Sequence, residues 1–296
     1  MTSKITNKAI NKATVRTSIK ECTIVMKDKK AAIGVFDSGV GGLTVAREIM
    51  RLLPNEKIVY FGDTARVPYG SKSQETIIRY SRQIIRFLET HDVKVIVIAC
   101  NTASALALDV VKKEIDIPII GVVIPGARAA IEATGNKKIG VVATEATINS
   151  EIYTDVIQAE DENMEVKGKA CPLFVSIVEE GFAKHKIAEE VIDYYLEEMK
   201  NSNVDTLILG CTHYPLLRNK IREYLGENIH LVNPAYETAL DVKRMLEQND
   251  ILNDADDAAV DHEFYVSDLA DKFNRFANTI MPFDIAITKK INIEEY

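Results

Sequence analysis

The sequence predicts an α/β fold of two similar lobes, each a mostly parallel sheet flanked by helices, and three observations lead there. From residue 31 onward, short apolar runs rich in β-branched residues alternate with longer segments of helical period, the pattern of strand–helix–strand units. The runs are apolar almost without a break, as strands covered on both faces are. The pattern also occurs twice. Residues 32–38 read AIGVFDS and residues 138–144, ending at Thr144, read KIGVVAT, while 94–102 read KVIVIACNT and 205–213 read DTLILGCTH. Each half thus holds a strand entering a polar turn, followed later by a strand ending in cysteine, as two copies of one unit would.

Residues 1–30 are rich in Lys, Thr, Ser and Asn without apolar periodicity, and are read as a loosely ordered extension with no chemistry assigned. Strands are then expected at 32–36, 57–61, 94–99, 117–122, 138–142 and 206–209. Segments 76–88 and 187–199 place apolar residues at i, i+3, i+4 and i+7, which predicts helices packed on a sheet. Pro and Gly punctuate 118–126, and Asn-Pro sits within 230–236; both stretches are read as crossings between lobes. The first lobe then comprises 31–122 with a returning segment 235–296, and the second 123–234. The Asp/Asn/Ala-rich stretch 250–262 is read as a loop.

Composition limits the function classes. With 296 residues, 47% hydrophobic and 27% charged, the chain has the balance of a globular protein of about two domains. A net charge of −8 argues against nucleic acid, whose binders present a basic stripe, and favours a small-molecule partner. No apolar run approaches the roughly 20 residues that span a bilayer, so no membrane role is expected. Cysteines at 22, 100, 171 and 211 are too few for a disulfide framework in a chain this long, which fits a reducing cytoplasm.

Cys100 and Cys211 stand out because both follow a strand at the carboxyl edge of a parallel sheet, where ligands bind in such folds. A cysteine just before a helix faces the positive end of the helix dipole, which is expected to lower a thiol from its free pKa of about 8.5. The same helix starts offer backbone N–H groups, and Asn101, Thr102 and Thr212 add side-chain donors, a cradle for a carboxylate; plain N-capping is their alternative use. The turn FDSGVGGLT at 36–44 follows a strand and opens a helix, but has neither GxGxxG spacing nor a Gly-Lys-Ser/Thr ending. Its glycines instead let the backbone approach a small ligand. Asp37 then either points into that site or caps the helix beginning near Gly41; the sequence leaves both open.

GVFDSGVGGLTV at 34–45, GDTARVPYG at 62–70, ACNTAS at 99–104, CPLFVSIVEEG at 171–181 and LGCTHYPLL at 209–217 together resemble glutamate racemase, within the aspartate/glutamate racemase superfamily. The resemblance implies that Cys100 and Cys211 are the two catalytic cysteines, with Asp37 the carboxylate near the first and His213 the imidazole near the second. It makes Glu179 a further acidic helper, although Glu180 stands beside it. Asp37, Ser38, Pro68, Tyr69, Gly70, Asn101, Thr102, Thr144, Thr212 and His213 fall on positions that hold substrate. Two acid/base groups facing one carbon are what racemisation requires: one removes the α-proton and the other returns a proton to the opposite face. The resemblance implies glutamate as substrate, no metal, no cofactor, a homodimer, and D-glutamate destined for peptidoglycan. Zinc held by Cys100, Cys211 and His213 is a rival reading, but the C-x-H spacing lacks the paired ligands of structural zinc sites and no fourth ligand is evident.

Overall fold

The computed structural model describes residues 28–255, 260–283, 285 and 287–296; the extension read at residues 1–30 therefore lies almost wholly outside the described residues. Among the described residues, ten strands form two sheets. β1 (Ala32–Asp37), β2 (Ile58–Gly62), β3 (Val93–Ile98) and β4 (Ile119–Gly121) lie in the first, and β5 (Lys138–Ala143), β6 (Glu165–Ala170), β7 (Thr206–Gly210) and β8 (His230–Val232) in the second. The order is β2-β1-β3-β4 in one and β6-β5-β7-β8 in the other, so the same four-strand topology occurs twice. The chain then returns to the first sheet and adds β9 (Glu263–Val266) and β10 (Thr288–Lys290) beside β2. Every neighbouring pair is parallel, and helices cover the sheets, as the α/β reading expects.

The apolar strands are explained by burial on both faces. Along β1, Ile33 and Val35 enter the core under helix Leu43–Leu52, while Ala32 and Phe36 enter the opposite core under helix Gln74–Glu89. β7 divides likewise, Leu207 and Leu209 to one side and Ile208 to the other. Of the strands unread in the sequence, β6, β8 and β10 lie at sheet ends; β6 reads EVKGKA and β10 reads TKK, half or wholly exposed and without apolar alternation, as edge strands often are, whereas β9 is a short, mostly buried strand between β10 and β2. Both stretches read as crossings hold regular structure. Residues 118–126 contain β4 and the first turn of helix Val123–Ala133, with Pro125 tolerated there because its missing N–H has no partner in the first turn. Residues 230–236 contain β8 and the start of helix Pro234–Gln248, whose Asn233 cap accepts from Ala235 N at 3.2 Å. That helix packs Ala235, Ala239 and Val242 into the first sheet's core.

Lys94, the charge inside the apolar run of β3, is fully buried with Glu56 at 2.6 Å. Its ammonium also donates to the Ile251 carbonyl at 2.8 Å and to that of Lys29, tying the chain before β1 and the segment after helix Pro234–Gln248 to the amino edge of the sheet. Lys94→Met strands the Glu56 carboxylate and is expected to cost about 3–5 kcal/mol in denaturant unfolding, while a Lys94→Met/Glu56→Leu double variant recovers most of that loss.

Candidate active site

Both cysteines sit where a parallel strand ends. Cys100 follows β3 and precedes the short helix Asn101–Leu106, while Cys211 follows β7 and leads into the turn Tyr214–Leu217. They come from equivalent strands of different sheets and face one recess of about 370 Å3, part of it open to solvent. Ser38, Pro68, Tyr69, Gly70, Asn101, Thr102, Thr144, Glu179, Thr212 and His213 also line it, so twelve of the thirteen residues singled out in the sequence converge there. Val67 and Val175 complete the lining. Asp37 is the exception, wholly buried behind the surface of the recess.

Asp37 serves both uses that the sequence left open. Its Oδ2 accepts from Gly39 N at 3.1 Å and Gly42 N at 2.9 Å, closing the turn ahead of helix Leu43–Leu52. Its Oδ1 lies 3.4 Å from the Thr212 hydroxyl, which donates to it from the end of β7 in the second sheet. The approach of the two strand ends here depends on Gly41: a Cβ at that position would come within 2.6 Å of His213 Nδ1 and closer still to the Thr212 hydroxyl. Gly41→Ala is therefore expected to push Thr212 and His213 outward and to lower catalytic efficiency about 100-fold, the scale of a 1 Å misplacement, with a far-UV circular dichroism spectrum like that of the parent.

The electrostatics differ on the two sides. The Cys100 thiol is pushed up to about 12, chiefly by burial and further by the Asp37 carboxylate, against weaker help from Ala103 N–H and the Ser38 hydroxyl. This corrects the expectation that the helix dipole lowers it. The helix has only six residues, and desolvation outweighs its field. Asp37 is itself raised, by burial first, although His213 and the N–H groups of Gly42, Gly39 and Ser38 oppose that. Opposite, His213 Nδ1 lies 3.8 Å from Cys211 Sγ, and Nε2 lies 3.1 Å from Glu179 Oε1. Burial works against the imidazolium, but Cys211, Glu179 and Asp37 together raise His213 to about 10. Glu179 is held below the usual carboxylate range: burial opposes, and the His213 hydrogen bond and the charges of His213 and Lys272 prevail. Glu180, its neighbour, instead pairs with Lys272 at 3.2 Å on the surface, so Glu179 is the carboxylate that faces the site.

A stability consequence follows, with its sign fixed by linkage. His213 is raised above its ordinary 6.5, so its contribution is full below pH 6.5 and is lost as pH climbs to about 10. Cys100 is raised from 9.0 to about 12, so the unfolded chain gains by ionising it between those values. The melting temperature is expected to fall progressively above pH 7, and His213→Asn to flatten the part of the curve below pH 10.

Asn101 and Thr102, read as donors for a carboxylate with N-capping as the alternative, hold side-chain bonds of a third kind. Asn101 Oδ1 accepts from the Tyr153 hydroxyl at 2.7 Å, and Thr102 shares its hydroxyl with those of Thr144 at 2.9 Å and Thr147 at 3.3 Å. Each bond joins the carboxyl end of β3 in the first sheet to residues that follow β5 in the second. Tyr69 lines the recess, but its hydroxyl donates to buried Asp63. Tyr153 and Thr147 lie outside the motifs and carried no signal in one sequence; Asp63 and Val67 lie inside GDTARVPYG and Val175 inside CPLFVSIVEEG, so motif membership could have flagged them. Among the described residues, no three His, Cys, Asp or Glu side chains form a group able to hold a metal, and no helix is long and apolar enough to cross a membrane.

Residues 33–239 match the sequence model of the family described as Asp/Glu/Hydantoin racemase. The glutamate racemase of Geobacter metallireducens is 45% identical over 263 residues, covering 89% of this chain and 97% of its own. Among solved structures, glutamate racemase isoform RacE1 from Bacillus anthracis superposes with a TM-score of 0.85 at 39% identity, covering 89% of this chain and 98% of that one. Glutamate racemase from Francisella tularensis, solved in complex with D-glutamate, also gives 0.85 at 39% identity, with 90% and 100% covered.

Proposed function

The chain belongs to the Asp/Glu/hydantoin racemase family, and from that premise we propose that it interconverts L- and D-glutamate by passing the α-proton between Cys100 and Cys211, with no metal or cofactor. The observation that carries this reading is the placement of two buried cysteines, from equivalent strands of two sheets, on one recess. In the reaction one sulfur, as thiolate, takes the α-hydrogen as a proton. The other, as thiol, gives its proton to the opposite face of the planar carbanion, so the pair of protonation states is exchanged at each turnover. Cys100, neutral up to about 12, is the resting acid. Cys211 lies 3.8 Å from the His213 imidazole, which is held cationic to about 10, and in this reading it is the partner base, with Glu179 orienting the imidazole from 3.1 Å. The N–H groups and hydroxyls around Asn101, Thr102 and Thr212 face charge that develops on the substrate carboxylate in a water-poor site.

Residues 31–122 with 235–296 as one lobe and 123–234 as the other, a homodimer, a cytoplasmic location and delivery of D-glutamate to peptidoglycan complete the proposal. These rest on the strand order and on the family. Light scattering checks the dimer. The activity is tested by incubating the purified protein, without added cofactor, with L-glutamate and separately D-glutamate in D2O. Convergence on the racemate from both sides, with deuterium at the α-carbon, supports the reading. No change with glutamate alongside turnover of aspartate would replace the substrate and keep the mechanism.

A further inference from the structure

We infer that the loop from Asp63 to Gly70 is a fixed wall that sets how long an amino-acid side chain the recess accepts, and that a bond from Tyr69 to Asp63 clasps it in place. This rests on the racemase reading above. Tyr69 lines the recess, yet its side chain is almost wholly buried and its hydroxyl turns away from the recess to Asp63 Oδ2. Asp63 is itself fully buried at the foot of the same loop, just after β2. Its carboxylate also accepts from Arg66 Nε at 2.7 Å and from the Ser267 hydroxyl at 2.9 Å. The Arg66 guanidinium stacks 4.0 Å over the Tyr80 ring, which in turn lies 5.6 Å from the Tyr69 ring. The foot, middle and tip of the loop therefore all end on one carboxylate.

The tip is also confined where it meets Thr144, which lines the same recess. A Cβ on Gly70 would come within 2.6 Å of Thr144 Cβ, so the tip cannot approach that residue further. None of Cys100, Cys211, Asp37, His213 and Glu179 belongs to this loop. Shifting it therefore alters the room for the rest of the substrate more than the proton-transfer pair. A wall that discriminates one methylene commonly yields about 10- to 200-fold preference. Such preference requires the wall to be held, and a buried carboxylate with three donors holds it.

The test compares wild type, Asp63→Asn, Tyr69→Phe and the double variant. For each, KM for D-glutamate is measured with the inhibition constants of D-aspartate, one methylene shorter, and D-2-aminoadipate, one longer. Each single variant is expected to narrow the preference for glutamate about tenfold, and the double variant to narrow it no further, because both act through one bond. Tyr69→Phe keeps the ring and the other partners of Asp63, so it remains readable if Asp63→Asn does not fold. Binding of all three ligands weakened by the same factor, or additive effects in the double variant, would overturn the clasp. A wild type that racemises glutamate while the variants keep its preference overturns the clasp alone; a wild type inert on glutamate overturns the racemase reading beneath it.

Discussion

Cys100→Ala and Cys211→Ala are each expected to lower glutamate turnover at least about 1,000-fold, or roughly 4 kcal/mol of transition-state stabilisation, as measured by circular dichroism of the substrate. Neither loss can be offset by the surviving thiol. Racemisation needs a base on one face of the α-carbon and an acid on the other, and one sulfur cannot reach both. The fold is expected to persist, since each variant removes one buried sulfur at the end of a strand whose packing is otherwise complete, at a cost of about 1 kcal/mol or somewhat more. Near-normal turnover in either variant would sink the two-thiol mechanism and send attention to Asp37 and His213 as the proton carriers.

His213→Asn is expected to reduce kcat/KM about 100- to 1,000-fold, within the range of a positioned acid–base group. Cys211, Glu179 and Asp37 raise the imidazole to about 10, and its Nδ1 lies 3.8 Å from Cys211 Sγ. The two enantiomers have equal free energy, so kcat/KM must fall equally for both directions, while the two kcat values are free to separate. The pH profile supplies a second check. With His213 near 10, activity in the parent is expected to decline above about pH 10 as the imidazolium is lost, and that limb should vanish in His213→Asn. A limb unchanged by the substitution would assign it to another group. Glu179→Gln, acting through His213 at 3.1 Å, should lower that limb's pKa with a smaller loss of rate.

The sequence by itself determined the repeated strand pattern, the strand ends that carry Cys100 and Cys211, and the residues of the five motifs. These are legible because they are local: β-branched apolar runs, a turn rich in glycine, and a polar residue after a strand follow from covalent neighbours and burial on both faces. It missed β6 and β10, edge strands with no apolar alternation to show, and also β8 and β9, runs of three and four residues too short to carry a period. It misjudged Cys100 because a thiol's pKa depends on how much water packing removes and on Asp37, brought beside it from another strand. Only the tertiary structure decided that Glu179 and not Glu180 faces His213, since one residue on a short helix turns a side chain from the recess to the surface. The same holds for Gly41, whose missing Cβ makes room for Thr212 and His213 at the end of the second sheet, for Lys94 paired with Glu56, and for Tyr69 bonded to Asp63. Desolvation, ion pairing and steric fit act through space and fall steeply with distance, so they are fixed by which distant segments pack together, and neighbours along the chain carry little trace of them.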